Sequence, residues 1–286
     1  MRRALRACAV LVSLIVSGCG GGQATASANP TAAPSSLPTA DLAHPVGVIA
    51  MGHSGLTGEG TGELGVANFD GSSATGTLPQ VNSIYMRLAA ARPETLGHVD
   101  NEAVGAAPAA ALLGQAKAAL AKVPAPALAI IQTVDNDIQC EPANADAVGA
   151  SVTQALQEIH AASPNTKILV VGQAGRPSVA FIQALVAAHP EVKADLTGTD
   201  ACAFYNSDGS INEAGFTELT ASIDAYEAAV AKACAAVPGC ATDGGVRRTW
   251  VDKIELFGPD LNHLNLQGQA AVAEQLWPVV ETLLGL

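Results

Sequence analysis

The chain is poor in aromatic residues and in positive charge, and it lacks the common metal-binding motifs. Aromatic residues make up only 3% of it, which argues against a broad stacking surface for glycans or single-stranded nucleic acid. Lys and Arg total 14 against 26 Asp and Glu, and the net charge of −12 argues against nucleic acid and against electrostatic docking on anionic lipid. Neither CxxC nor HExxH occurs in the sequence, so we expect no metal ion and no other cofactor.

The N-terminus has the pattern of a bacterial lipoprotein signal peptide. Basic residues at positions 2, 3 and 6 precede a short apolar run, and the small residues Ser17 and Gly18 precede Cys19. The alternative is a transmembrane anchor, but the run has about ten to fourteen apolar residues, whereas a membrane span needs about 20. We therefore predict a signal peptide at 1–18, lipid attached to Cys19, and export to the outer face of the bacterial cell membrane or envelope.

Residues 19–44 are predicted to form a flexible tether. After Cys19 they are mostly Gly, Ala, Ser, Thr and Pro, a composition that does not build a hydrophobic core. Residues 45–286 then have a length suited to one α/β domain. No internal repeat or change of composition divides them, so we expect a single domain. We expect it to be a monomer, held at the membrane by the lipid on Cys19.

Four cysteines remain in the predicted domain: Cys140, Cys202, Cys234 and Cys240. An even number of cysteines in an oxidising compartment predicts two disulfides. Three pairings are possible, and we favour Cys234–Cys240 across a short turn and Cys140–Cys202 between two loops. The alternative is a metal site, which the scattered histidines and the missing CxxC spacing do not support.

Short apolar runs alternate with longer helical patterns along the domain, as is typical of a parallel sheet covered by helices on both faces. Strands are predicted near 46–51, 97–100, 127–133 and 167–171, with a weaker fifth strand near 249–256. Helices are predicted at 80–91, 108–121, 145–162, 176–188, 212–236 and 264–284. Polar residues collect just after the strands, where open α/β sheets bind their ligands, so a single site is expected at that edge.

A carboxylate and an imidazole lie three residues apart in Asp260-Leu261-Asn262-His263. An Asp this close can orient the ring of His263 and stabilise its imidazolium, as in a serine hydrolase triad. The first predicted strand runs into Gly52-His53-Ser54-Gly55, which places Ser54 in a glycine-rich turn at the strand end. Neither motif is decisive alone. Together they predict Ser54 as the nucleophile, His263 as the general base and Asp260 as its partner.

Donors for an oxyanion are predicted from the loops after the first three strands. Asn136 follows the third strand, and its amide can donate a hydrogen bond to a developing oxyanion. Gly105 follows the second strand and lets its backbone N–H approach the same point, and Ser54 supplies its own N–H. Asn and Gly are also common turn formers, so each residue taken singly has a purely structural alternative.

At this point the chain resembles the SGNH hydrolases, also called GDSL-type esterases and lipases, whose four sequence blocks occur here in order. Gly52-His53-Ser54 matches the first block, Gly105 the second, Asn136-Asp137 part of the third, and Asp260 with His263 the last. The resemblance implies a three-layer α/β/α sandwich with a flavodoxin-like parallel sheet of about five strands. It also implies a Ser54–His263–Asp260 triad and an oxyanion hole made by Ser54, Gly105 and Asn136.

The chain departs from that family pattern at two residues. His53 stands where the family usually has Asp, and an imidazole cannot reproduce a carboxylate's acceptor-only bonding to backbone N–H groups. Val134 stands where the family usually has Gly, and a β-branched residue does not easily take a positive φ, so the loop of Asn136 is expected to sit differently. Since adjacent residues on an extended segment face opposite ways, His53 is not expected to replace His263 as the base.

These observations predict a serine esterase that hydrolyses carboxylic esters, either acyl lipids or O-acetylated glycans at the cell envelope. The glycine-rich segment 55–62 is expected to be a mobile loop beside Ser54 that tolerates varied short acyl groups. Two alternatives stay open: a lipoprotein that only binds a ligand, and an acyltransferase on the same fold. The Gly-x-Ser motif is also similar to the nucleophile elbow of α/β-hydrolases, but Leu56 occupies the place of its second glycine.

Overall fold

Five short strands form one parallel sheet in the computed structural model, which describes residues 41–286. The sheet order is β2-β1-β3-β4-β5, which is the flavodoxin-like order. The strands are β1 (Val48–Gly52), β2 (Val99–Asn101), β3 (Leu128–Gln132), β4 (Lys167–Val171) and β5 (Cys240–Thr242). The first four lie where the sequence predicts strands.

The predicted signal peptide, Cys19 and residues 20–40 of the predicted tether lie outside the described residues. Within residues 41–286, no helix is both long enough and apolar enough to span a membrane.

Seven α-helices connect and cover the strands of the described region. Ser83, Asn212 and Asn265 cap three of the helices, each accepting hydrogen bonds from backbone N–H groups of the first turn. The helices are α1 (Ile84–Ala91), α2 (Leu112–Lys122), α3 (Ala145–Ala162), α4 (Val179–Ala188), α5 (Lys193–Leu196), α6 (Glu213–Ala235) and α7 (Leu266–Leu284). All six predicted helices are present, and the short α5 is an addition.

The alternation of side chains along each strand divides the core into two layers. On β1, Ile49 and Met51 pack in one cluster with α2, α3 and α6, whereas Val48 and Ala50 pack in the other cluster with α1 and α7. All four side chains are fully buried. The sheet is therefore covered on both faces, and the predicted three-layer sandwich is confirmed.

The predicted fifth strand near 249–256 is wrong. The fifth strand is Cys240–Thr242, whereas residues 250–253 are irregular chain between two single 3-10 turns, Arg247–Thr249 and Ile254–Leu256. The segment contains apolar residues, but Val251 is 71% exposed, so they do not form one buried face. The true strand is only three residues long, and its small side chains include none of the large apolar residues that mark a strand in sequence.

Both favoured disulfides are present. Cys140 is bonded to Cys202 and Cys234 to Cys240, with Cα–Cα distances of 5.6 and 5.4 Å. The first links the loop after β3 to the segment before α6, and the second closes the turn between α6 and β5. On the loop-entropy model the longer loop stabilises the fold by about 4 kcal/mol and the shorter by about 2 kcal/mol.

Candidate active site

Asp260 and His263 contact each other directly. Oδ2 of Asp260 lies 2.6 Å from Nδ1 of His263, and Oδ1 accepts hydrogen bonds from the backbone N–H groups of His263 (3.0 Å) and Asn262 (3.1 Å). Leu261 has a φ of +55°, and this left-handed residue folds the chain back so that the carboxylate faces the ring. Because the carboxylate accepts a hydrogen bond from Nδ1–H, Nε2 of the neutral ring carries no proton and can act as a base.

Hydrogen bonding sets the charge of Asp260. Partial burial alone raises its pKa, but the bonds from the ring and backbone of His263 and from the Asn262 backbone outweigh burial, so the pKa lies below the ordinary value. The carboxylate is therefore ionised at neutral pH, as is needed to stabilise an imidazolium.

Ser54 lies at the end of β1, in a turn that requires a glycine before it. Gly52 has a φ of +140°, and a Cβ at this position would lie 1.8 Å from the carbonyl oxygen of Gln132 on the neighbouring strand. The chain then turns through the 3-10 segment Ser54–Leu56, and the N–H and hydroxyl of Thr57 both donate to the Ser54 carbonyl. Ser54 is 9% exposed.

Ser54 and His263 line the same cavity, which has a volume of about 130 Å³. Asn262 also lines it, and its Nδ2 lies 3.4 Å from Nε2 of His263. No hydrogen bond joins Ser54 to His263 among residues 41–286. Catalytic hydrogen bonds are often long before substrate binds, so the shared cavity is the relevant observation.

His53 lines the same cavity, which corrects the expectation that its side chain faces away from that of Ser54. The extended backbone ends at His53 and the 3-10 turn starts at Ser54, so the alternation of an extended segment no longer applies. Nδ1 of His53 accepts a hydrogen bond from the Gly55 N–H at 3.1 Å, so the imidazole does brace the turn with one acceptor. Burial lowers the pKa of His53 below 6.5, which keeps the ring neutral.

Val134 does adopt the left-handed backbone that the sequence argues against. Its φ is +82°, its side chain is 4% exposed, and its carbonyl accepts hydrogen bonds from the N–H groups of Asp137 and Ile138. The turn after β3 therefore closes as it would with glycine. Packing of the Val134 side chain in the core with Ile131 and Val170 offsets the backbone strain.

Gly105 and Asn136 lie on the loops after β2 and β3, the two strands that flank β1. Nδ2 of Asn136 donates to the carbonyl oxygen of Ala107 at 3.2 Å, which joins the two loops. Both residues are exposed, and neither lines the 130 Å³ cavity. Their part in an oxyanion hole therefore stays a prediction.

The glycine-rich segment 55–62 is packed and hydrogen-bonded, in contrast to the mobile loop expected. Leu56 and Thr57 are buried, and the Leu56 carbonyl accepts hydrogen bonds from Asn101 (2.9 Å) and Ser72 (2.7 Å). Asn101, the last residue of β2, thus supports the turn of Ser54.

Sequence reasoning missed Glu59, Arg247, Trp250 and Asp252. Oε1 of Glu59 lies 3.7 Å from Nδ1 of His263, and the other three residues line the cavity. Arg247 is 2% exposed; burial lowers its pKa to about 10, although Asp243 and Asp252 oppose that shift. No motif marks these residues, which all lie in turns and loops outside the α-helices and the strands.

Among residues 41–286, two groups of side chains have the spacing of metal ligands. Ligand atoms of Glu59, Asp260 and His263 all lie within 4.8 Å of one another, so a cation there would engage the same groups as the predicted triad. The second group contains Cys140 and Cys202, whose sulfurs are joined in a disulfide.

No protein-family model and no curated protein matches the chain. Solved structures do match. An extracellular lipase from Streptomyces rimosus is 16% identical with a TM-score of 0.50, and the match covers 83% of this chain and 99% of that one. A GDSL-like lipase from Parabacteroides merdae is 11% identical with a TM-score of 0.50, over 84% of this chain and 96% of that one. This likeness shows that the chain has the fold of the SGNH hydrolases.

Proposed function

We propose that the protein is a serine esterase that hydrolyses carboxylic esters. Ser54 Oγ attacks the ester carbonyl carbon while Nε2 of His263 takes its proton. His263 then returns the proton to the leaving alcohol, and water releases the acid in a second step. Asp260 holds the ring in the required tautomer and stabilises the imidazolium.

The observation that carries this proposal is the 2.6 Å contact of Asp260 with His263, which lines the same cavity as Ser54. A carboxylate–imidazole pair beside a serine hydroxyl is the minimum arrangement for nucleophilic acyl transfer. The strand-end position of Ser54 further supports it, because open α/β sheets place their sites at that edge.

Ser54, Gly105 and Asn136 are proposed to stabilise the oxyanion. The support is their position after three adjacent strands and the hydrogen bond that joins Asn136 to the Gly105 loop at Ala107. Loss of one such donor typically lowers kcat by about 10²- to 10³-fold. For Asn136 to act, its amide must exchange the Ala107 carbonyl for the oxyanion.

The test is hydrolysis of p-nitrophenyl esters from acetate to palmitate by the full chain with oxidised cysteines, beside Ser54→Ala. We expect turnover that Ser54→Ala reduces by at least 10³-fold, with circular dichroism unchanged. A folded, disulfide-complete protein without turnover would instead support a ligand-binding protein. Product analysis in the presence of a second alcohol separates hydrolysis from acyl transfer, since transfer yields a new ester.

We also propose that the protein is exported and attached to the membrane by lipid on Cys19. The support is the sequence of residues 1–19 alone. Metabolic labelling with palmitate is expected to mark the wild-type chain and not Cys19→Ser, and the variant should no longer fractionate with membranes. Equal labelling of both chains would contradict the proposal.

A further inference from the structure

The Ser54 cavity continues into a groove of about 520 Å³ that runs along α4. Trp250 and Asp252 line both spaces. A pair of aromatic rings also connects them, since Phe257 lines the cavity, Phe181 lines the groove, and their centroids are 5.8 Å apart. A substrate held at Ser54 can therefore extend past the indole ring of Trp250 and remain in contact with the protein.

The lining of the groove is largely apolar. Six of its eleven lining residues have hydrocarbon or aromatic side chains: Ala180, Phe181, Ala184, Trp250, Val251 and Ile254. Val251 is 71% exposed, and Ala184 is exposed as well. A hydrocarbon chain in the groove would cover this surface, and each methylene group that it buries strengthens binding by up to about fourfold.

The charged side chains of the groove have partners or face water. Nε and Nη2 of Arg176 donate to Oδ1 of Asp224 on α6, at 3.0 and 2.7 Å. Oδ1 of Asp252 accepts a hydrogen bond from Nε1 of Trp250 at 3.0 Å. The remaining charged side chains are exposed: Lys253 and Glu255. A hydrocarbon chain in the groove therefore leaves no buried charge without a partner, so its binding does not carry that cost.

The position of His263 indicates which part of an ester faces the groove. His263 packs on the loop after β1, because its Nδ1 lies 3.7 Å from Oε1 of Glu59 and a Cβ at Gly60 would lie 2.8 Å from its Cβ. The groove lies between α4, which follows β4, and the loop after β5, and β3 separates both strands from β1. The leaving alcohol takes its proton from His263 and so stays on the β1 side. The acyl chain, on the other side of the carbonyl carbon, then points to the groove.

We infer that the groove along α4 binds the acyl chain of the ester, and that Phe181, Ala184 and Trp250 determine the preferred acyl length. This deepens the proposed esterase activity and rests on it. Since α4 starts at the active-site edge of the sheet and runs away from it, Ala184 lies about 4.5 Å further from the cavity than Phe181. The small side chain of Ala184 leaves the groove open to an acyl chain that continues past Phe181.

The test measures kcat/KM of the full-length protein on two series of esters. p-Nitrophenyl esters from acetate to decanoate lengthen the acyl chain, and alkyl acetates from ethyl to decyl lengthen the alcohol. We expect kcat/KM to be at least tenfold higher for p-nitrophenyl octanoate than for the acetate, and to change less than threefold along the alkyl acetates. A flat or falling acyl series would overturn the inference. So would an equal or stronger dependence on the alcohol, because the groove would then hold the alcohol.

Variants of Ala184 locate the effect in the groove. Ala184→Trp fills the space beyond Phe181, and Ala184→Asp places a charge there. Both changes are at an exposed helix position, so circular dichroism should match that of the wild type. Each variant is expected to lower the octanoate-to-acetate ratio of kcat/KM at least fivefold, with the rate on acetate unchanged within twofold. Folded variants with the wild-type ratio would contradict the inference.

Ala228→Trp is the matched control. Ala228 is an exposed residue of α6 that lines a separate apolar cavity of about 260 Å³, and that cavity shares no lining residue with the Ser54 cavity. The variant should keep the wild-type ratio, and a loss of octanoate preference here would place the acyl chain in the α6 cavity instead. If p-nitrophenyl acetate is not turned over in a Ser54-dependent way, the esterase proposal itself fails. Turnover of acetate with a flat acyl series rejects only the groove assignment.

Discussion

Glu59 places a second carboxylate 3.7 Å from Nδ1 of His263, on the side of the ring that Asp260 also contacts. The distance is too long for a hydrogen bond, so Glu59 acts on the imidazolium through charge alone. Asp260, at 2.6 Å, also fixes the tautomer. The two carboxylates therefore contribute unequally to the reaction.

Substituting each carboxylate by its amide tests this inequality. Asp260→Asn is expected to lower kcat by on the order of 10⁴, because the ring loses its required tautomer. Glu59→Gln is expected to lower kcat only about fivefold, which corresponds to about 1 kcal/mol of lost imidazolium stabilisation. Steady-state kinetics on p-nitrophenyl acetate measure both. Equal losses would mean that Glu59 orients the ring as Asp260 does.

Gly60 is expected to be required for the position of His263. Its φ is +90°, and a Cβ there would lie 2.8 Å from Cβ of His263 and 2.9 Å from the Leu264 carbonyl oxygen. Gly60→Ala should therefore displace the His263 segment, lower kcat/KM at least tenfold and destabilise the fold by more than about 1 kcal/mol. Gly114→Ala is the control. Gly114 lies in α2 with open space around it, so alanine should raise stability by about 0.5–1 kcal/mol and leave activity unchanged.

Val134→Gly is expected to cost little stability although Val134 is buried. Glycine relieves roughly 1–3 kcal/mol of strain at a φ of +82°, and this offsets most of the ~1.5–3 kcal/mol lost with the side chain. Val170→Gly in β4 removes a similarly buried side chain without such relief, so it should be about 1–3 kcal/mol more destabilising. Urea unfolding compares the two variants. Equal destabilisation would mean that Val134 is unstrained.

The pH dependence of stability is expected to report on His53. Burial lowers the pKa of His53 in the folded chain below the value of 6.5 that it has when unfolded. As the pH falls below 6.5, the unfolded state binds more protons than the folded state, so the free energy of unfolding decreases.

His53→Asn removes this titration and keeps a side-chain oxygen to accept the Gly55 N–H. The variant should lose less stability than the wild type between pH 7 and pH 5, measured by urea unfolding at each pH. Identical pH profiles would show that His53 takes up a proton as easily in the folded chain as in the unfolded one.

Local patterns in the sequence determined much of the fold and the central pair of the site. Four strands and six helices follow from the spacing of apolar residues, because periodicity reflects which face of each element is buried. Asp260 and His263 are three residues apart, so a single turn is enough to join them. The short Cys234–Cys240 bridge is similarly local.

Only the tertiary structure placed β5 and completed the lining of the cavity. Arg247, Trp250 and Asp252 lie in the loop after β5, and they line the cavity with Ser54 because parallel strands place the loops after β1 and β5 at the same edge of the sheet. His53 faces the cavity because a 3-10 turn interrupts the alternation of the strand. Such contacts join residues that are far apart in sequence, and they are stabilised by packing along the whole sheet edge. A short stretch of sequence therefore cannot predict them.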